Sequence, residues 1–264
     1  MQDIQSQADH RKIPIDKVGV CDLLYPIVVL DQKNQSQSTV ARISISVNLP
    51  HEFKGTHMSR FIEILNSHRG EITMRTLPSI LAELKERLSA ESAHIEVVFP
   101  YFLERTAPVS GAVGLMDYQC RFIGEANGGK CDFVLAVSVP VTSLCPCSKA
   151  ISDYGAHNQR GLITMRVRSR GTDSDMPALI WIEELISIAE ASASSPVYAL
   201  LKREDERHVT MQAFDNPVFV EDMVRNVAAA LQEDDRLTWF HVHAVNHESI
   251  HNHAAFAEVE WTKT

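Results

Sequence analysis

An α+β fold made of two ββααββ units, each an antiparallel sheet with both helices on one face, is the architecture this sequence predicts. Three observations carry the prediction. Paired apolar runs alternate with period two, two helical stretches separate successive strand pairs, and the second half repeats the element order of the first. The repetition is one of order, not of residues. In the first half, residues 1–15 are polar and expected to be loose, and 31–39 (DQKNQSQST) has the composition of a turn between two apolar runs. Ile43, Ile45, Val47 and Leu49 alternate with Arg42, Ser44, Ser46 and Asn48, which marks a strand with one buried face. The run 23–30 is its antiparallel partner. Helices follow around 57–67 and 77–88, then strands around 94–104 and 112–125. Asn127, Gly128 and Gly129 form a turn that sets the boundary near residue 128, giving units 1–128 and 129–264.

The second unit opens with a strand over 131–141 and a polar loop. Ile163, Met165 and Val167 alternating with Thr164, Arg166 and Arg168 then mark another strand. Ile182, Leu185, Ile186 and Ala189 share one face of a helix beginning near Pro177. A further helix is expected with Asn216 as N-cap, Pro217 at its first position, and a buried stripe of Val220, Met223, Val224, Val227 and Leu231. Strands over 237–245 and 254–261 close the chain. A sheet covered by helices on one face needs cover on the other, and oligomerisation into closed barrels supplies it while creating sites between subunits.

Composition narrows the function. The chain has 264 residues, 45% of them hydrophobic, enough for a sizeable core. Thirty-four acidic against 25 basic residues leave a net charge of −9, which argues against a nucleic-acid partner. The longest apolar run, 133–141, is far short of the ~20 residues that span a bilayer, and the start lacks the apolar core of a signal peptide. A cytoplasmic protein with no membrane partner is expected. Five cysteines, an odd number in a long chain, favour reduced thiols or metal ligands over a disulfide framework. Of twelve histidines, five lie between His241 and His253.

Three segments carry chemistry. In 143–161 (SLCPCSKAISDYGAHNQRG), Cys145 and Cys147 precede His157 in a stretch too polar for a core. A thiolate and an imidazole from one loop suit a borderline divalent metal; the alternative is a tight turn around Pro146 bearing unreactive thiols. A disulfide between the two cysteines would be strained. In 241–253 (HVHAVNHESIHNH), alternation puts His241 and His243 on one strand face as polar surface residues, whereas His247, Glu248, His251 and His253 sit at the turn, where side chains converge on a ligand. The third, 201–209 (LKREDERHV), has the composition of a solvated charged turn. Placed with the other two, its Glu206 would complete four-coordination with Cys145, His157 and His251. Glu221 flanks a buried helical stripe, as an ordinary surface acid or a functional one. Lys54, His57 and Arg60 fall where a strand passes into a helix, a place suited to a phosphate.

Taken together, SLCPCSKAISDYGAHNQRG, KGTHMSRF, LKREDERHVT, NPVFVEDMVR and HESIHNH resemble the motifs of the type IB GTP cyclohydrolases, in the same order and over about Pro14 to Trp261. The resemblance implies the tunnelling fold, with ββααββ units paired into barrels, and a homotetramer with active sites at subunit interfaces. It implies conversion of GTP and water to 7,8-dihydroneopterin triphosphate and formate, the first step toward tetrahydrofolate and, in many bacteria, queuosine. By motif, one divalent metal per site (zinc, manganese or ferrous iron) is held by Cys145, His157, Glu206 and His251, with Cys147 the near neighbour most easily confused with a ligand. Glu248 resembles the acid that holds the purine edge, Glu221 is a second candidate for substrate binding or proton transfer, and Lys54, His57 and Arg60 would hold the triphosphate. Residues 170–177 (RGTDSDMP) depart from the pattern as a longer polar turn. Two rivals remain: a related nitrile reductase using a cysteine nucleophile and NADPH, and a non-catalytic metal-binding scaffold.

Overall fold

The computed structural model describes residue 5 and residues 7–68, 71–171 and 177–263. Its elements run β1 (Ile15–Asp31), β2 (Gln35–Leu49), α1 (Met58–Ser67), α2 (Leu77–Arg87), β3 (Ser92–Thr106), β4 (Val113–Asn127), β5 (Lys130–Leu144), α3 (Pro146–Ile151), β6 (Asn158–Ser169), α4 (Ile182–Ala191), β7 (Ser195–Pro196), α5 (Arg203–Asp215), α6 (Val220–Gln232), β8 (Leu237–His247) and β9 (Ala254–Thr262). The strands are ordered β1-β2-β3-β4-β5-β6-β8-β9, with β7 on β5. The pairs β1/β2, β2/β3, β6/β8 and β8/β9 are antiparallel. The α+β class and the ββααββ order of the first half match the expectation. Two compact units divide the chain, one of 1–100, 121–135 and 171–179, the other of 101–120, 136–170 and 180–264.

In the first unit the β1/β2 hairpin is longer than the alternation alone suggested. Pairing runs from Ile15 opposite Leu49 to Asp31 opposite Gln35, so the turn contracts to three residues. Asp31 makes that possible by accepting from the backbone N–H of Lys33 (2.9 Å) and Asn34 (2.6 Å). Ile43, Ile45 and Val47 are buried, as the period-two pattern requires, and pair with Val97, Ile95 and Ala93 of β3. At Gly19 the hairpin admits no side chain: a Cβ there would lie 1.9 Å from the Ile45 carbonyl oxygen. Over the sheet, α1 buries Phe61, Ile64 and Leu65, and α2 buries Leu77, Ile80, Leu81 and Leu84, both at helical spacing. Near the start, the carbonyls of Gln5 and Gln7 accept from the N–H groups of Gly55 (3.1 Å) and Lys54 (2.9 Å).

In the second unit, β6 and β8 oppose Ile163 to Ala244, Met165 to Val242 and Val167 to Phe240, all buried. Helix α6 lays Val220, Met223, Val224, Val227 and Leu231 on β8 and β9, the predicted stripe. Three expectations need correction. The helix placed near Pro177 begins at Ile182, where Trp181 is the N-cap and its N–H donates to the Glu184 carboxylate (3.2 Å). The helix expected to start after Asn216 starts at Val220, because Val218 first donates its N–H to the Leu144 carbonyl (3.1 Å) in extended form. Asn216 instead ends α5, and its side-chain amide donates to the Ala193 carbonyl (2.9 Å). The charged turn at 201–209 is the first part of α5: Glu204, Asp205 and Glu206 favour a helix N-terminus, and Asp205 accepts the Lys202 N–H (2.8 Å). Of the polar turn 170–177, residues 172–176 lie outside the described residues, and Gly171 bridges Pro177. No helix among the described residues is long and apolar enough to cross a membrane.

Candidate active site

One end of the second unit gathers several of the sequence-predicted residues. Strand β5 ends at Leu144, and Cys145 turns the chain into α3 as its N-cap, with Pro146 supplying a preset first-turn φ. The Cys145 sulfur accepts from the Ser148 N–H at 3.4 Å. After α3 the chain returns so that the Cys145 N–H donates to the His157 carbonyl (3.1 Å) and the His157 N–H to the Ser148 hydroxyl (3.2 Å). Twelve residues of separation thus become direct neighbourhood, and both side chains are half-buried.

The His157 ring is oriented by its strand neighbour. Its Nδ1 lies 2.9 Å from Gln159 Oε1, and an amide oxygen only accepts, so Nδ1 carries the hydrogen and Nε2 keeps its lone pair for a ligand. Around these two residues lies a cleft of about 300 Å³, lined also by Ser143, Gln159, Glu221, Asn246, Glu248, His251 and His253. Glu221 is exposed in the first turn of α6, and Glu248 is half-buried just past the end of β8. His251 and His253 are exposed with stacked rings 5.0 Å apart. His241 and His243 face away from the buried Val242 and Ala244; His241 Nε2 lies 3.4 Å from Glu258, and the His243 ring stands 5.8 Å from that of Phe256.

Cys145, His157, Glu221, Glu248 and His251 therefore share one cleft. Glu206 does not line it; it is exposed on α5. Lys54, His57 and Arg60 belong to the first unit, where His57 is the N-cap of α1 and the Arg60 guanidinium donates to the Arg87 carbonyl (2.9 Å). Among the described residues, no group of three or more His, Cys, Asp or Glu side chains is drawn together tightly enough to hold an ion in the single chain. The donors in the cleft nonetheless fit a divalent metal: a thiolate former, an imidazole with Nε2 available and a hydrogen-bonded Nδ1, and further histidines nearby. Sequence reasoning passed over Ser143, Gln159 and Asn246. The available signal was parity, since Gln159 lies two residues from His157 and Asn246 two from Glu248.

Comparison with solved structures defines the class. The fold is similar to that of uricase from Arthrobacter globiformis (TM-score 0.54, 8% identity, 94% of this chain and 93% of that one). It is equally similar to urate oxidase from Bacillus subtilis 168 (TM-score 0.54, 9% identity, 94% and 98%). At these identities the likeness is one of fold, an α+β protein of urate oxidase architecture. Sequence comparison goes further. Residues 1–257 match the profile described as type I GTP cyclohydrolase folE2. The GTP cyclohydrolase FolE2 of Syntrophotalea carbinolica is 57% identical over 261 residues, covering 99% of this chain and 95% of the relative. That of Geobacter sulfurreducens is 56% identical over 263 residues, covering 100% and 99%. The chain belongs to the type I GTP cyclohydrolase FolE2 family.

Proposed function

We propose that the Cys145/His157 cleft is the catalytic centre of a metal-dependent GTP cyclohydrolase that converts GTP and water to 7,8-dihydroneopterin triphosphate and formate. The observation that carries the reading is the pairing of Cys145 with His157, joined through backbone hydrogen bonds, in one cleft with Glu221, Glu248 and His251. Cys145, His157 and His251 would hold zinc, manganese or ferrous iron, with Glu206 as oxygen ligand. When bound, the metal supplies Lewis acidity that activates water for attack on C8 of guanine. Glu248 accepts from the guanine ring N–H and exocyclic amine together, fixing the base through two charge-assisted bonds. Ring opening, rearrangement of the ribose and reclosure each move protons near neutral pH, and Glu221 in the same cleft would serve substrate binding or those transfers. Lys54, His57 and Arg60 would bind the triphosphate. Because Glu206 and these three cations do not line the cleft, they would join it in an assembled homotetramer, with barrels closing the sheet as the tunnelling fold implies. The product would feed tetrahydrofolate and queuosine synthesis.

The test is anaerobic incubation of the metal-stripped protein with GTP, adding zinc, manganese or ferrous iron separately, and following formate and the fluorescence of oxidised neopterin. Both products should form with at least one metal and disappear in Cys145→Ala. An assembled oligomer that yields neither product with any metal overturns the reading. Oxidation of NADPH with 7-cyano-7-deazaguanine would establish the reductase in its place.

A further inference from the structure

The Ser143 hydroxyl, fully buried one residue before the end of β5, is bonded three ways. It donates to the Val218 carbonyl (2.9 Å) and accepts from the side-chain amides of Asn246 (3.0 Å) and Gln159 (3.4 Å). A hydroxyl has one hydrogen and two lone pairs, so this one is saturated. Its hydrogen is committed to Val218, and toward both amides it acts only as acceptor. Gln159 must therefore turn its NH2 to Ser143 and its Oε1 to His157, which requires the hydrogen of His157 on Nδ1. Were Gln159 reversed, its NH2 would face His157, Nδ1 would have to accept, and Nε2 would carry the hydrogen and lose its ligand lone pair. Asn246 likewise turns its NH2 to Ser143, and its buried Oδ1 has no hydrogen-bond partner among the described residues. The three partners of Ser143 lie on three segments that each carry a cleft side chain: Gln159 beside His157, Asn246 before Glu248, and Val218 before Glu221.

We propose that Ser143 and Gln159 are positioning residues: the hydroxyl orients the Gln159 amide, and the amide fixes His157 in the Nδ1–H tautomer that presents Nε2 to the metal. Both side chains are buried, Ser143 fully and Gln159 at 7% exposure. The proposal rests on the reading of His157 as a metal ligand, and the experiment separates the two. Partners of this kind tune metal affinity by roughly 10–100-fold. Zinc affinity is measured by chelator competition on the full-length protein for Gln159→Leu, Ser143→Ala, Gln159→Glu and His157→Ala. The His157 tautomer is read from imidazole 15N shifts of the metal-free protein, assigned by loss of the signal in His157→Ala.

Gln159→Leu and Ser143→Ala should weaken zinc by that factor and mix the tautomers. Gln159→Glu keeps an acceptor for Nδ1–H, so it should retain the tautomer although a carboxylate has no hydrogen to give Ser143. A purely structural role for Gln159 would lower thermal stability in Gln159→Leu while leaving the tautomer intact. Zinc affinity within twofold of the parent in Gln159→Leu, with His157→Ala strongly weakened, overturns the relay alone. Unchanged affinity in His157→Ala overturns the ligand reading beneath it.

Discussion

Ser110 binds both oxygens of the Asp205 carboxylate, its backbone N–H donating to Oδ1 at 2.9 Å and its hydroxyl to Oδ2 at 2.6 Å. The N–H of Val109 (2.8 Å) and that of Lys202 (2.8 Å) complete four bonds to one buried charge. Burial pushes the carboxyl up, but the bonds from Ser110, Lys202 and Val109 outweigh it and hold the group well below the usual carboxylate range. Asp205 thus staples the 107–112 loop to the start of α5, the helix that carries Glu206. Because the folded value is depressed, this stabilisation is present above the unfolded value, about 3.9, and is lost as pH falls toward the folded one. Asp205→Asn should melt below the parent at pH 7, and the gap should narrow between about pH 4 and pH 2. A gap constant with pH in paired melting curves would show that the carboxylate charge is not what stabilises the loop.

A second buried acid behaves in the opposite sense. Glu190, 8% exposed, is ion-paired with Arg105 and accepts the Tyr118 hydroxyl at 3.2 Å. Its carboxyl is raised by burial, against the opposing pull of Arg105 and the Tyr118 hydrogen bond. Arg105→Leu strands that carboxylate and should cost about 3 kcal/mol at pH 8, the lower end for breaking a buried pair because the arginine keeps some contact with water. A raised folded value means the contribution is fully present below the unfolded value, about 4.3, and is lost as pH rises through the folded one. Arg105→Leu removes the pull that opposes burial, so the carboxyl rises further in the variant, which should recover toward the parent on acidification from pH 8 to 5. Urea unfolding at the two pH values measures it, and equal losses at both would contradict the assignment.

What could be read from the sequence followed the strength of its periodicity. β2, α4 and α6 carry the apolar stripes named from the sequence, and each stripe is buried as expected. α5 has none: among its thirteen residues only Asp205 and Ala213 are buried, so its charges resembled a turn although their clustering at the N-terminus is a helix signal. Asn216-Pro217 has the composition of a cap, but the Asn216 amide is used by the Ala193 carbonyl and the chain stays extended until Val220. At the cleft, side chains with intrinsic reactivity stood out by type. Ser143, Gln159 and Asn246 did not, because their part lies in the direction of a hydrogen bond, which depends on partners as many as 103 residues away.

Gly161 tests that arrangement from the backbone side. It pairs with Asn246 across β6 and β8, and a Cβ there would sit 2.9 Å from Asn246 Oδ1 and 3.0 Å from Val141 Cγ2. Gly161→Ala should displace the Asn246 amide from Ser143, costing about 1–3 kcal/mol of stability for overpacking. Zinc affinity should fall with it. Unchanged stability and affinity would mean that the neighbouring strands yield without disturbing the hydroxyl.

Glu248 gives the sharpest test of substrate recognition, because charge and geometry are separable there. A carboxylate accepts from the guanine ring N–H and the exocyclic amine at once; an amide of the same shape accepts one and turns an NH2 toward the other. Losing a hydrogen bond to a charged group costs about 1.5–3 kcal/mol, so Glu248→Gln should lower kcat/KM for GTP by roughly 10–150-fold with zinc content and oligomeric state retained. Inosine triphosphate, which lacks the exocyclic amine, should be a poor substrate for the parent but lose little further in the variant, since the contact that distinguishes the two nucleotides is already gone. The coupling between substitution and substrate is then the interaction itself. If Glu248→Gln lowers kcat/KM equally for both nucleotides, Glu248 serves a proton-transfer step, and recognition of the amine falls to another cleft residue.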